Sequence, residues 1–259
     1  MSVINTNVKS MFAQAALQTN NRQMNVAMNQ LSTGKRTYSA QVDAAGVAIA
    51  GKLTSQIRGS QMAARNINDA ISFMQTAEGA LNEIANMAQR MYELTVQESS
   101  GTYTTSQVTN INTEITALAS GIASIVSGSK WNETAVVDTS GGTSLTVTTD
   151  GSGTTASLSL TTIGTAPTSA STATNIETFI SAVTTRRAEA GAHINRLSYM
   201  ADNLNNIATN LAASRSRIED TDYAASSAEL AKTQIINQAA TAMLAQANQQ
   251  PQAVLTLLQ

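Results

Sequence analysis

The chain has 259 residues with 15 basic against 17 acidic side chains, so it lacks the basic excess that would neutralise phosphates or hold an anionic lipid surface; neither nucleic acid nor membrane is an expected partner. Cysteine is absent and His193 is the lone histidine, which removes disulfides, thiolate nucleophiles, sulfur-ligated zinc and multi-histidine metal sites; no cofactor or metal is expected. Hydrophobic residues make up 42% of the chain but aromatics only 3%, so the apolar content is mostly Ala, Leu, Ile, Val and Met, which suits closely packed helices.

The opening "MSVINTNVKSMFAQAAL" has no basic stretch followed by an unbroken apolar run, and no segment approaches the ~18 apolar residues of a membrane span. The expectation is a cytosolic chain, or one that leaves the cell without a cleavable signal. A first helical stripe carries Leu17, Met24, Met28 and Leu31. "LSTGKRTYSAQVDAAG" follows, with Gly34 placed to end that helix and Asp43 near the start of the next.

"GVAIAGKL", Gly46 to Leu53, matches a phosphate-binding P-loop except at Leu53, where the magnesium-holding Ser or Thr should stand. No β-branched strand precedes it, so the expected reading is a helix whose glycines allow close packing. A second stripe joins Ile67, Ile71, Met74, Ala77, Leu81, Ile84, Ala88 and Met91. A third alternates steps of three and four through Val108, Ile111, Ile115, Leu118, Ile122 and Ile125.

Positions 136–174 are dense in Thr, Ser and Gly. "SLTVTT" and "TTASLSL" set Leu145, Val147, Leu158 and Leu160 on alternating positions around "DGSG", the pattern of a small β-hairpin between helices. The nearby Asn132-Glu133-Thr134 is a formal glycosylation sequon, a tripeptide common by chance.

The longest repeat runs from Ile176 to Ile218 through Val183, Ala190, Leu197, Leu204 and Leu211, with a period of roughly 3.5. Such a helix would be on the order of 60 Å long, which predicts an elongated rod. Arg187 and Arg215 interrupt this seam, either with packed stems and guanidiniums reaching solvent or a neighbouring Glu, or as pins of register. His193 is read as a packed or half-exposed structural residue, and no serine has a nucleophile-elbow context.

The last helical stretch has two apolar stripes: Ala228, Ala231, Ile235, Ala239 and Ala242; and Ile236, Ala240, Met243 and Ala247. A helix apolar on more than one side needs several neighbours. The N-terminal helix alone cannot cover it, so other copies of the chain are the natural partners. Leu17, Met24, Met28 and Leu31, with Leu230, Ile235, Ile236, Met243 and Leu244, are the expected subunit-assembly residues. The fold class expected is mostly α, an elongated helical rod or coiled coil built from both chain ends, with a small β-hairpin insert.

The segments "INTNVKSMFAQAAL", "LSTGKRTYSAQVDAAG", "NINDAISFMQTAEGALNEI" and "QRMYELTVQ", then "GAHINRL", "SRIEDTDYA" and "AMLAQANQQPQAVLTLL", together resemble bacterial flagellin, in a short form lacking large outer domains. The resemblance covers nearly everything outside positions 136–174. It implies an inner coiled-coil assembly domain (1–40 with 220–259), an outer helical rod domain (41–135 with 172–219) and the insert (136–171). Gly34, Asp43 and Gly46 would then form a spoke between inner and outer helices. The chain departs from the family's usual pattern at Thr33, Lys35, Thr37 and Val42.

The implied function is a non-enzymatic structural subunit that polymerises with itself into the flagellar filament for swimming motility, secreted and extracellular. A hook–filament junction (hook-associated) protein is the alternative, and an enzyme built on the near P-loop comes third. Implied partners are other copies, a flagellin export chaperone, hook-associated and cap proteins, and an innate immune receptor of animals. Arg90, Leu94 and Glu114 match the receptor-contacting positions, although Tyr92 replaces the Arg usual between the first two. Thr139, Ser140, Thr148, Thr149 and Ser157 are the corresponding candidates for O-glycosylation.

Overall fold

The computed structural model describes residues 6–139 and 141–256, with side chains as far as residue 249. In chain order the elements are α1 (Val8–Thr33), α2 (Ala44–Glu98), α3 (Thr105–Gly128), β1 (Lys130–Trp131), β2 (Thr134–Ala135), β3 (Thr143–Thr148), β4 (Thr155–Leu160), α4 (Ala173–Glu219) and α5 (Tyr223–Thr256). The fold is mostly α, with two small two-stranded antiparallel sheets. Two compact units are formed. One holds α1, α2 as far as Thr54, α4 from Leu211 onward, and α5; the other runs from Ser55 to Asn210.

The Ser55–Asn210 unit has a continuous apolar core fed by the three-four repeats. From α2 come Ile67, Met74, Leu81, Ile84 and Met91, and from α3 Ile111, Ile115 and Ile122. Ile176, Val183, Ala190, Leu197 and Leu204 come from α4. Each large side chain so buried contributes roughly 1.5–3 kcal/mol. α2 and α3 run antiparallel: Met87 lies against Gly121, where an added Cβ would stand 3.3 Å from the thioether sulfur, and Arg90 reaches Glu114. A capping box opens α3, the Thr104 N–H donating to Gln107 Oε1 (2.9 Å) and the Gln107 N–H to Thr104 Oγ1 (3.4 Å).

Gly46 to Leu53 lies inside α2, helical throughout. The short β1–β2 hairpin was not legible in the sequence. Its two-residue turn places Asn132 (φ 47°) and Glu133 (φ 67°) in the left-handed region, as a type I′ turn requires. Glu is an unusual occupant there, which hid the turn, and the sequon Asn132-Glu133-Thr134 straddles it.

The second hairpin pairs Thr143 with Leu160, Leu145 with Leu158 and Val147 with Ala156. These residues make the inward face, and the intervening Ser144, Thr146, Ser157 and Ser159 are exposed. At the tip, Asp150 Oδ1 accepts from the N–H groups of Ser152 and Thr154, both at 2.8 Å. Gly151 rests on α2 at Gly59, so closely that a Cβ on Gly59 would strike the Gly151 carbonyl. Two glycines are required there because backbone meets helix without side chains between them.

The other anchor of the hairpin is a polar row on α4. Arg186 is fully buried, at 0% exposure. One guanidinium nitrogen donates to the carbonyls of Thr161 (2.6 Å) and Asp138 (3.0 Å), the other to the Val136 carbonyl (3.3 Å) and Thr143 Oγ1 (2.8 Å). Burial lowers its pKa from the ordinary arginine value, against the opposing pull of the Asp138 and Glu189 carboxylates. Glu189 accepts from the N–H and hydroxyl of Thr161, and His193 Nε2 lies 3.1 Å from the Ser159 carbonyl. His193 is thus a half-buried structural contact.

Arg187 is half-buried, as a seam position with a packed stem would be, and the fully enclosed arginine is its neighbour Arg186; the Nε of each lacks a hydrogen-bond partner. The heptad count ran along the helix pair and missed a second buried direction created by the hairpin. Arg215 does meet a neighbouring acid, with Nε 3.6 Å from Glu219, and also donates to Thr54 Oγ1 (3.3 Å).

Replacing Arg186 with Met strips donors from three carbonyls and a hydroxyl. The expected cost is about 3–5 kcal/mol, read by urea unfolding, with faster amide exchange through Thr143–Leu160. At the hairpin tip, hydrogen bonds from Thr154 foremost depress the Asp150 pKa. A depressed carboxyl stabilises the fold above its unfolded pKa and ceases to do so as pH falls through its folded value. An NMR titration is expected to find the Asp150 midpoint below ~3.9, with hairpin amide protection declining only under that pH.

Candidate assembly surface

α1 and α5 form an antiparallel pair. The Asn7 side chain caps α1 by accepting from the Ser10 N–H (3.1 Å), and its Nδ2 donates to the Ala247 carbonyl (2.8 Å) near the far end of α5. Asp222 caps α5, accepting from the N–H groups of Ala224 and Ala225. Along α1 the covered positions are Ser10, Ala13, Leu17, Asn20, Met24, Ala27 and Leu31, strictly alternating three and four. Facing them on α5 are Ser226, Leu230, Thr233, Asn237, Ala240, Leu244 and Ala247, with the same alternation.

The seam is therefore small and polar where a strong coiled coil would be leucine. Asn20 is buried and donates through Nδ2 to the Thr233 carbonyl (2.8 Å), leaving its Oδ1 without a partner. Asn237 Nδ2 donates to Asn21 Oδ1 (2.5 Å).

Two expectations are corrected here. Met28 is exposed, and Ala27 takes the seam position beside Leu17, Met24 and Leu31. Neither apolar stripe read on α5 is the seam: it passes through Leu230, Thr233, Asn237 and Leu244, and only Ala240 and Ala247 of the second stripe belong to it. Counting apolar residues misled because Ser226, Thr233 and Asn237 occupy core positions.

Beyond Leu17, Met24, Leu31, Leu230 and Leu244 in the seam, several large apolar side chains of the pair are left in solvent. Phe12 is 76% exposed, Ile235 66% and Met243 67%, and Val8, Met11 and Ile236 are exposed too. Val8, Phe12, Ala240 and Met243 line an open apolar groove of about 630 Å³ between the two helices. Phe12 had no part in the sequence-derived set, since it lies off the stripe, but its exposure makes it a leading member of this surface.

At the other end of the pair, Gly34 ends α1 in the left-handed region (φ 69°), its N–H donating to the Gln30 carbonyl (2.9 Å). An isolated antiparallel bridge joins Lys35 to Asp220. The Arg36 N–H donates to the Glu219 carbonyl (2.7 Å), the Thr221 N–H to the Gly34 carbonyl (3.0 Å), and the Lys35 ammonium meets Glu219 (2.5 Å). Asp43 Oδ1 accepts from the Gly46 N–H (2.8 Å) at the start of α2, and a Cβ on Gly46 would collide with the Asp43 carboxylate and Thr37.

In the Ser55–Asn210 unit, Arg90 lies on the surface between Glu114 (3.0 Å) and Glu93 (3.2 Å). Its hydrogen bonds to Glu93 and then Glu114 raise its pKa above the ordinary value. Leu94 is not an exposed anchor beside it, as the resemblance had suggested, but is buried in the core at 2% exposure. The position four residues from Arg90 falls on the α2 core stripe. Among the candidate modification sites Ser157 is exposed, Thr139, Thr148 and Thr149 are half-buried, and Ser140 lies outside the described residues. Among the described residues no group of three or more His, Cys, Asp or Glu could hold a metal, and no helix is long and apolar enough to cross a membrane.

The buried Asn20 tests what the polar seam does. An Asn20→Leu substitution removes an unsatisfied oxygen, and the expected gain for the α1–α5 pair is on the order of 1 kcal/mol, measured by amide exchange along α1. Register should loosen at the same time. Cysteine pairs introduced into this cysteine-free chain should then crosslink in slipped as well as native alignment.

The sequence matches two family descriptions, "Bacterial flagellin N-terminal helical region" over residues 4–141 and "Bacterial flagellin C-terminal helical region" over residues 173–258. It is 40% identical over 270 residues to a flagellin of Halalkalibacterium halodurans, covering 99% of each chain. It is 34% identical over 284 residues to the "Flagellar filament 33 kDa core protein" of Treponema phagedenis, again covering 99% of each. A crystal structure of Bacillus cereus flagellin is 30% identical, with a TM-score of 0.46, covering 58% of this chain and 94% of that one. The chain belongs to the bacterial flagellin family.

Proposed function

We propose that this chain polymerises through the outward apolar faces of α1 and α5, with Phe12, Met28, Ile235, Ile236 and Met243 covered by neighbouring copies. As a flagellin it is a structural subunit of the bacterial flagellar filament, an extracellular homopolymer, and not an enzyme. Nothing in the comparisons favours the hook–filament junction alternative. The single observation that carries the assembly reading is the set of large apolar side chains left in solvent on the helix pair, Phe12, Met28, Ile235, Ile236 and Met243, beside a seam in which Asn20, Thr233 and Asn237 take core positions. Such contiguous exposed apolar surface is characteristic of a binding face.

The finer reading follows the same surface. Leu17, Met24, Leu31, Leu230 and Leu244 hold the pair together, and the outward set holds the polymer. Gly34, Asp43 and Gly46 act as the geometric spoke, supported by their caps and close contacts. An export chaperone covers α5 before the chain joins the filament, and hook-associated and cap proteins meet the same helix pair at the filament ends. Recognition by an innate immune receptor rests on Arg90 and Glu114, with Leu94 acting only through the core beneath them. Among the candidate positions for surface glycans, Ser157 is the most accessible.

A chain carrying both Ile235→Ser and Met243→Ser tests the central claim. Both side chains are exposed, so the change in subunit stability should stay within about 0.5 kcal/mol. Elongation of preformed filament seeds should fall at least about ten-fold, the effect of ~1.4 kcal/mol at an interface, while Ser157→Ala elongates normally. Elongation at the unmodified rate by the double variant would overturn the proposal.

A further inference from the structure

Trp131 is the chain's single tryptophan and is 38% exposed, at the end of the β1–β2 hairpin. Its partly open ring borders a recess of about 600 Å³ whose other walls include Asp69 and Phe73 of α2, Asn132 of the turn and Leu145 of β3. A smaller hollow of about 180 Å³ adjoins it, sharing Asp69, Phe73, Trp131 and Leu145 and adding Asn66. Asn66, Asp69 and Phe73 fall at spacings of three and four on one face of α2, so the fold brings helix, turn and strand to one place. Among the described residues no hydrogen bond or ion pair engages the Asp69 carboxylate or the amides of Asn66 and Asn132.

We propose that this recess is a binding site for a neutral saccharide. A sugar ring has an apolar face of C–H groups and an equator of hydroxyls. The indole of Trp131 supplies a flat apolar surface for the first, with Phe73 and Leu145 beneath it. For the second, Asp69 offers two acceptor oxygens that can take adjacent hydroxyls in charge-assisted bonds, and the two amides each offer a donor and an acceptor. Acidic sugars are disfavoured by Asp69 and by the exposed Glu133 in the turn.

A cationic ligand fits less well. An ammonium group is best held among several aromatic faces, and here Phe73 is almost wholly buried, leaving one open ring. With a single stacking surface and a shallow recess, the affinity belongs in the range of about 0.1–1 mM, short of the micromolar range that a deep pocket reaches. This site is independent of the filament-forming surface, and the proposal does not rest on how that surface works.

Because Trp131 is unique, its fluorescence reports on this site alone. The full chain, as monomer and as filament, is titrated with maltohexaose, cellohexaose and chitohexaose, and separately with tetramethylammonium. At least one hexasaccharide should give a saturable spectral shift that weakens at least ten-fold in Asp69→Ala and in Asn66→Ala, both variants keeping the helical circular dichroism of the parent. Saturation-transfer NMR should place the sugar's ring C–H protons against Trp131, and the transfer should vanish in Trp131→Ala. No saturable response to any of the three sugars overturns the proposal, as does equal binding by Asp69→Ala. A response to tetramethylammonium alone also overturns it and makes the recess a cation site.

Discussion

The α1–α5 seam is built from residues too small and too polar to hold two helices together strongly, and the behaviour of the chain ends depends on that. Asn20, Thr233 and Asn237 occupy positions where leucine would contribute roughly 1.5–3 kcal/mol each. Ordering a residue costs about 1–2 kcal/mol of backbone entropy. The seam offers few large side chains to offset that cost, whereas Phe12, Ile235 and Met243 lie outside it. Much of the large apolar area of these helices faces away from the pair, and in the proposed assembly neighbouring copies would cover it.

The Ser55–Asn210 unit is built on the opposite rule. Its three-four stripes on α2, α3 and α4 bury Ile, Leu and Met against one another within the chain. Arg186, the one fully buried charged group among the described residues, has four acceptors around its two terminal nitrogens, three of them backbone carbonyls, while its Nε has no partner. Removing any of these acceptors would leave the buried charge still less compensated. Arg186 therefore couples α4 to both hairpins, since Val136, Asp138, Thr143 and Thr161 come from the segments that flank them.

Apolar periodicity made the core of that unit legible in the sequence: Ile67 to Met91 and Val108 to Ile125 occupy the positions the spacing gave them. The hairpin around "DGSG" was legible for the same reason at period two. What escaped were features carried by polar residues or by third neighbours. Thr233 and Asn237 hid the seam of α5, since a count of apolar positions passes over them. Arg186 escaped because the helix has a second buried direction, beside the seam that holds Arg187, which the hairpin creates. Leu94 was read as a surface neighbour of Arg90 because helical spacing says two residues are close without saying which side of the boundary each falls on. For the assembly surface, sequence supplied Ile235, Ile236 and Met243 but not Phe12, whose importance comes from exposure, a property no periodicity reports.

Residues 142–172 lie between the two family matches and include the whole of the β3–β4 hairpin, yet they share the core of the matched helices. The seat is made by inward residues and backbone: Val147, Leu158 and Leu160 in the core, Gly151 against Gly59, and carbonyls on Arg186. None of these involves the outward row of Ser144, Thr146, Ser157 and Ser159. Alternation along a strand separates the two sets, so the exposed row can change without disturbing the packed one. A segment built this way can vary its solvent face while its position on the helices stays fixed.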